Sequence, residues 1–151
     1  GDDPRIHGSR VRVCAIGHRE LLPERVREAI AYAEEKTAHY DDYRYNIAVA
    51  YGGRQEIIQA IRQLAHKVQV GELEPDEIDT EMVSKHLYTG DLPDPDLILR
   101  TSGEERVSNF LLWQLAYSEF YFADVYWPAL RKVDFLRAIR AYQQRQRRRG
   151  R

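Results

Sequence analysis

Hydrophobic positions along the chain follow two periods, and the change from one to the other predicts the elements. Val11–Ile16 (VRVCAI) is a β-branched, mostly apolar run closed by Gly17, which reads as a buried strand. Pro23 then stands at the first turn of a predicted helix whose Val26, Ala29, Ile30 and Ala33 share one face. A turn-rich stretch around Asp41 and Asp42 leads into a second strand, residues 45–50 (YNIAVA). After Tyr51-Gly52-Gly53, the apolar Ile57, Ile58, Ile61, Leu64, Ala65 and Val68 recur at helical spacing, and Gly71 ends that helix. Glu74-Pro75-Asp76 opens a polar connector into a short helix over residues 80–87. The acidic, proline-stiffened residues 91–96 precede a short strand at 97–99 ending in Arg100. A helix is expected from about Asn109, then an aromatic stretch to Trp127-Pro128, then a last helix from about Val133.

Strand and helix alternate, which predicts an α/β fold: a central, mostly parallel sheet flanked by helices. Ligands of such sheets bind at the carboxyl ends of the strands. The loops after Ile16, Ala50 and Leu99 are therefore the ones to inspect.

Composition narrows the class. The 151 residues suit about one domain spanning 1–151. With 43% hydrophobic and 31% charged residues, the chain is too apolar to be disordered. No apolar stretch is long enough to span a bilayer, and no basic-then-apolar leader is seen, so a cytoplasmic protein is expected. A single cysteine, Cys14, excludes an internal disulfide framework and suits a reducing compartment. The opening Gly1-Asp2-Asp3-Pro4 lacks an initiator Met, which suggests the later part of a longer protein.

The net charge of −1 hides an asymmetry. Residues 1–136 carry 16 Lys plus Arg against 24 acids, while residues 137–151 carry seven Arg and no acid. Arginine outnumbers lysine 19 to 4, a bias that favours bidentate grip on carboxylates or phosphates. The tail suits nucleic acid, an anionic membrane surface or a diphosphate, and equally a solvated helix end offsetting the helix dipole.

Three loops carry candidate chemistry. Gly17-His18-Arg19 reads first as a turn, and His7, His18, His39, His66 and His86 lack metal-ligand spacing. Gly52-Gly53-Arg54 joins a strand to a helix, where exposed N–H groups favour an anion, but it lacks the Lys-Ser/Thr of a nucleotide P-loop. Residues 100–109 (RTSGEERVSN) combine Arg100 at a strand's carboxyl end with Arg106 and Ser108 ahead of the expected helix, with Ser108 or Asn109 as its N-cap. Two guanidiniums, a hydroxyl and free N–H groups make a site for a highly charged oxyanion such as diphosphate. The alternative is a surface loop in which Glu104 and Glu105 pair with the arginines. Glu119 lies in the apolar and aromatic run 110–122, where an acid needs a partner, a metal or exposure. On a straight helix it would lie about 16 Å beyond Ser108. Trp113, Tyr117, Phe120, Tyr121, Phe122, Tyr126 and Trp127 suit an aromatic subunit interface or packing within one subunit.

The run 94–114 (DPDLILRTSGEERVSNFLLWQ), with Tyr117, Glu119, Tyr121, Phe122 and Trp127-Pro128, closely resembles the signature of the cis-prenyltransferases, the undecaprenyl diphosphate synthase-like enzymes. Residues 46–54 (NIAVAYGGR) resemble a second block of that family, and Arg148-Arg149-Gly150 resembles its carboxy-terminal Arg-x-Gly motif. The likeness runs from about Arg10 to Gly150. It implies a transferase that condenses isopentenyl diphosphate onto an allylic diphosphate, farnesyl or geranylgeranyl, with Mg²⁺. The product implied is a poly-cis-prenyl diphosphate, a precursor of a lipid glycan carrier. The resemblance further implies that Arg100, Arg106 and Ser108 bind the diphosphate of isopentenyl diphosphate and that Glu119 is associated with Mg²⁺. Arg148 and Gly150 match a motif that reaches the active site across a homodimer interface, and a long product implies a peripheral place at the membrane surface.

Two features depart from the family pattern. Some members have His where this chain has Glu105. The amino-terminal Asp-Gly-Asn-Arg-Arg block, which carries the metal aspartate, the allylic site and much of the tunnel, is absent. The chain is therefore expected to be the carboxy-terminal portion of one cis-prenyltransferase domain, inactive alone and without the catalytic aspartate. The rival readings are a non-catalytic partner subunit of a heteromeric cis-prenyltransferase and, more remotely, nucleic-acid binding through the arginine tail. The acidic body argues against that last reading, so no nucleic acid is expected.

Overall fold

The computed structural model describes residues 2–145, in two compact units that meet in sequence at Gly90 and Asp91. In the first unit, a short helix α1 (Pro4–Gly8), capped by the Asp3 carboxylate on the Arg5 N–H at 2.9 Å, precedes strand β1 (Val11–Ile16). Helix α2 (Glu24–Thr37) then crosses over to strand β2 (Tyr43–Ala48). The strands pair in parallel with Val11 opposite Tyr43 and Ile16 opposite Ala48. Helix α3 (Gly53–Gln69) and the short α4 (Thr80–Lys85) complete the unit, with Asp79 capping α4 by accepting from the Met82 N–H at 2.7 Å.

The contact between α2 and β1 is partly polar. Val13 and Ala15 point into the core, yet their N–H groups reach α2 side chains. Thr37, fully buried, accepts from the Val13 N–H at 3.0 Å and donates to the Ala33 carbonyl at 2.8 Å. Glu34 accepts from the Ala15 N–H at 2.8 Å. Buried backbone donors need partners, and here the helix supplies them by side chain.

Two expectations shift. The second strand occupies 43–48, two residues earlier than its apolar run suggests, because pairing with β1 starts at Tyr43. Residues 49 and 50 leave the ladder and fold over the end of β1: the Val49 N–H reaches the Ile16 carbonyl at 2.9 Å and Ala50 adopts φ 45°. The buried stripe of α3 is Gly53, Glu56, Ala60 and Leu64, whereas Ile58 and Ile61 are exposed, as are Tyr43, Tyr45 and Ile47 on β2.

The second unit contains strand β3 (Leu97–Arg100), strand β4 (Glu119–Phe122) and helix α5 (Lys132–Gln144). β3 and β4 are parallel, Leu97 opposite Glu119 and Arg100 opposite Phe122. α5 packs on β4 through a fully buried Ala138, and Asp134 anchors its first turn by accepting from the Arg131 backbone N–H at 3.2 Å and Nε at 3.0 Å. Each unit thus has its own two-stranded parallel sheet. The α/β class with parallel strands stands, and its strands are distributed as two pairs. Among the described residues, no helix is long and apolar enough to cross a membrane.

The helix expected from Asn109 does not form. Ser108, Asn109 and Leu111 have φ of 50°, 63° and 45°, left-handed values that an α-helix excludes, so neither Ser108 nor Asn109 caps one. The apolar run instead makes a single 3₁₀ turn, Gln114–Tyr117, and then β4, whose three consecutive aromatics suit a strand.

Candidate functional site

The carboxyl end of β3 opens into a pocket of about 300 Å³ within the second unit. Arg100, Thr101, Ser102 and Arg106 supply its polar lining, and Ile98, Val107, Phe110, Leu115 and Phe120 its apolar wall. Arg100 is placed by the strand pairing, since its carbonyl accepts from the Ala123 N–H at 2.8 Å. Just beyond it, the Ser102 N–H reaches the Val125 carbonyl at 2.7 Å and the Gly103 N–H the Ala123 carbonyl at 3.2 Å. These bonds force the chain into a tight return, with Ser102 and Gly103 both at φ 66°. Left-handed backbone at Ser102, Gly103, Ser108, Asn109 and Leu111 gathers around this one loop, the kind of local strain that accumulates at functional sites.

The structure sorts the expected residues. Arg100 and Arg106 line the same pocket. Arg106 is ion-paired with Glu104 inside the loop, as the alternative reading of this segment anticipates, whereas Arg100 makes no side-chain hydrogen bond or ion pair among the described residues. Ser108 is exposed in the same loop but is not part of the lining. Arg148 and Gly150 lie outside the described residues. The helical spacing of Ser108 and Glu119 falls away, because residues 108–111 are not helical and Glu119 begins β4.

Glu119 has the partner that an acid in an apolar run requires. Nη1 of Arg145 donates to its Oε2 at 2.8 Å and to the Phe120 carbonyl at 2.7 Å. Arg145 was missed at the level of sequence; the available signal was an isolated acid and a run of arginines after the last helix. Among the described residues, no cluster of three His, Cys, Asp or Glu side chains could hold a metal. Mg²⁺ is usually bound by one or two carboxylates together with phosphate oxygens and water. Glu119 stands opposite Leu97 at the start of the strand pair, outside the lining of the arginine pocket and engaged by Arg145, so the described residues do not by themselves make a Mg²⁺ site.

In the first unit, the loop after β1 and helix α3 border a cleft lined by His18, Glu20, Arg54, Gln55, Ile58, Gln59 and Arg62. His18 Nδ1 and Glu20 are 3.0 Å apart. Arg19 points elsewhere: it holds both carboxylate oxygens of Glu34 at 2.6 Å and the Ala15 carbonyl at 2.5 Å. Burial raises the Glu34 pKa, but the Arg19 and Ala15 N–H bonds outweigh it and leave the carboxyl below the usual glutamate range. Gly17-His18-Arg19 is thus chiefly a structural turn. Behind the Gly52-Gly53 turn, Glu56 is 1% exposed and accepts from the Tyr51 hydroxyl and, at 2.8 Å, from the Tyr88 N–H.

Comparison with known proteins follows the same lines. The family described as "Putative undecaprenyl diphosphate synthase" matches residues 2–150. The chain is 61% identical to the tritrans,polycis-undecaprenyl-diphosphate synthase (geranylgeranyl-diphosphate specific) of Methanocaldococcus jannaschii, over 99% of this chain and 54% of that protein. It is 62% identical to the protein of the same name from Methanopyrus kandleri, over 99% of this chain and 55% of the relative. The crystal structure of lavandulyl diphosphate synthase from Lavandula x intermedia in complex with dimethylallyl diphosphate is similar with a TM-score of 0.91 and 42% identity, over 93% of this chain and 61% of that one. The chain spans just over half the length of the curated relatives it matches. With nearly every residue matched by one family and an arginine-lined pocket at the end of a parallel strand, the chain belongs to the undecaprenyl diphosphate synthase family of cis-prenyltransferases.

Proposed function

We propose that this chain serves cis-prenyl chain elongation, condensing isopentenyl diphosphate onto an allylic diphosphate, and that its second unit holds the diphosphate of isopentenyl diphosphate. The observation that carries this reading is the shared pocket of Arg100 and Arg106, walled on one side by Phe110, Phe120 and Leu115. Guanidiniums suit a diphosphate through bidentate, charge-assisted hydrogen bonds. The apolar wall suits a five-carbon isoprenoid group. Thr101 and Ser102 bring hydroxyls to the same mouth, although the Ser102 hydroxyl donates to the Thr101 carbonyl at 2.6 Å and its N–H to Val125.

Catalysis in this reading is mainly orientation and electrostatics. Arg100 and Arg106 fix the nucleophilic alkene by its diphosphate end, which converts an encounter of two molecules into a reaction within one site. Membership of the family supports Mg²⁺, which would offset negative charge on diphosphate. The names of the archaeal relatives support geranylgeranyl diphosphate as the allylic partner. Exposed Tyr117, Tyr126 and Trp127 on the second unit support an aromatic homodimer interface, and a long product would partition to a membrane surface.

The experiment is incorporation of radiolabelled isopentenyl diphosphate by the whole protein with Mg²⁺ and either geranylgeranyl or farnesyl diphosphate. Extractable poly-cis product, faster with geranylgeranyl diphosphate, is expected. No incorporation by the folded protein with either primer would reject the reading and favour a partner-subunit role.

A further inference from the structure

Residues 104–106 form the apex of the loop beyond β3, between two fastened points. On one side the Ser102 and Gly103 N–H groups are held by the Val125 and Ala123 carbonyls, and on the other the Phe110 N–H reaches the Val107 carbonyl at 3.2 Å. At this apex the Glu104 carboxylate takes Nη2 of Arg106, while Glu105 between them makes no ion pair among the described residues. Arg106 lines the arginine pocket, and neither acid does. The pocket therefore has one guanidinium without a side-chain partner among the described residues, Arg100, and one that carries its own counter-charge.

Repeated elongation makes opposite demands on such a pocket. In each condensation a carbon–carbon bond replaces the allylic carbon–oxygen bond, a proton is lost, and the allylic diphosphate departs. The elongated chain keeps the diphosphate that isopentenyl diphosphate brought, and that group must leave the pocket before the next isopentenyl diphosphate enters. A contact equally strong before and after the reaction lowers KM but slows that departure. Resting on the reading of the pocket as the isopentenyl diphosphate site, we propose that Glu104 is a positioning residue that competes with the diphosphate for Arg106, holding the guanidinium while the pocket is empty and reclaiming it from the elongated chain. Two features support the exchange. Arg106 is exposed and Glu104 half-buried, and ion pairs of that exposure are weak enough to be displaced by a diphosphate and to reform afterwards. The fastened backbone on both sides keeps the two side chains within reach of each other, so the pair reforms without refolding of the loop.

The test is steady-state incorporation of radiolabelled isopentenyl diphosphate by the whole protein, with chains sized at early times. Glu104→Gln removes the competing charge at equal size and is expected to lower the KM for isopentenyl diphosphate about two- to fivefold, the range set by an exposed ion pair. A fall in kcat is expected with it, and chains carrying only a few added units should accumulate. Glu105→Gln removes the same charge from the neighbouring residue and Glu104→Asp keeps it, so both are expected to stay near wild type. In an Arg106→Ala background, Glu104→Gln is expected to add nothing. A raised KM in Glu104→Gln would make Glu104 a support that orients Arg106 and overturns the competition, as does an equal fall in KM in Glu105→Gln. A lower KM without slower elongation overturns the reclaiming step. A raised KM in Arg106→Ala with unchanged kinetics in Glu104→Gln overturns the competition and leaves the pocket standing. An unchanged KM in Arg106→Ala overturns both.

Discussion

Arg100 and Arg106 line one pocket although they reach it differently, Arg100 from the end of β3 and Arg106 from the loop, where it is ion-paired with Glu104. An incoming diphosphate meets Arg100 without an internal competitor among the described residues, but must draw Arg106 from a carboxylate. Hydrogen bonds to charged groups contribute roughly 1.5–3 kcal/mol, or about 10- to 150-fold in affinity. Arg100→Ala and Arg106→Ala are therefore each expected to raise the KM for isopentenyl diphosphate at least about tenfold, with the larger effect from Arg100. Steady-state kinetics on the whole protein checks this; unchanged KM and kcat in both variants would remove the pocket from the reaction.

Thr37→Val tests the polar seam between α2 and β1. The substitution keeps the shape but leaves the buried Val13 N–H without its acceptor. A loss of about 1–3 kcal/mol is expected, read as a lower urea midpoint, with Thr37→Ser much closer to wild type.

Glu34 should make the first unit acid-sensitive. Its carboxyl titrates below the usual glutamate range, since the Arg19 and Ala15 N–H bonds outweigh the opposing effect of burial. The folded state therefore binds this proton more weakly than the unfolded state. Its stabilisation is complete above the unfolded value, roughly pH 4.3, and is lost as pH falls through the folded value. Thermal melts of Glu34→Gln between about pH 3 and 6 should show a shallower acid decline than wild type. Parallel curves would remove Glu34 from the acid response.

Gly17 marks where the end of β1 meets the segment after β2. Its φ is 120°, and a Cβ there would strike the Val49 carbonyl oxygen, a backbone atom that cannot swing away. Gly17→Ala is expected to cost at least about 1–3 kcal/mol in chemical denaturation. Gly71→Ala, where a Cβ meets open space, should show only the backbone strain of its φ of 74°.

Much of the fold was legible from periodicity. β1, α2, α3 and α5 lie where their hydrophobic patterns place them, but Val26 and Ala29 of α2 and Ile58 and Ile61 of α3 are exposed, so the periodicity located these helices without fixing their buried faces. Residues 108–122 were not legible this way. Their apolar run fits a buried helix or strand equally well on length and composition, and what decides is the left-handed backbone at Ser108, Asn109 and Leu111. Glu56 shows the same limit: a charged residue on a helical stripe reads as solvent-facing, yet Tyr51 and the Tyr88 N–H make it the most buried large side chain of α3.

Sequence alone determined the chemistry and the family resemblance: which loop holds Arg100 and Arg106, the α/β class, and the isolation of Glu119 in an apolar stretch. These depend on residue type and local order, which are written directly in the chain. Only the tertiary structure decided that the two arginines share a pocket while Ser108 lies outside its lining, and that Arg145 answers Glu119 from 26 residues away. Such pairings depend on where β4 and α5 pack. That packing is a balance of long-range contacts that no local pattern encodes.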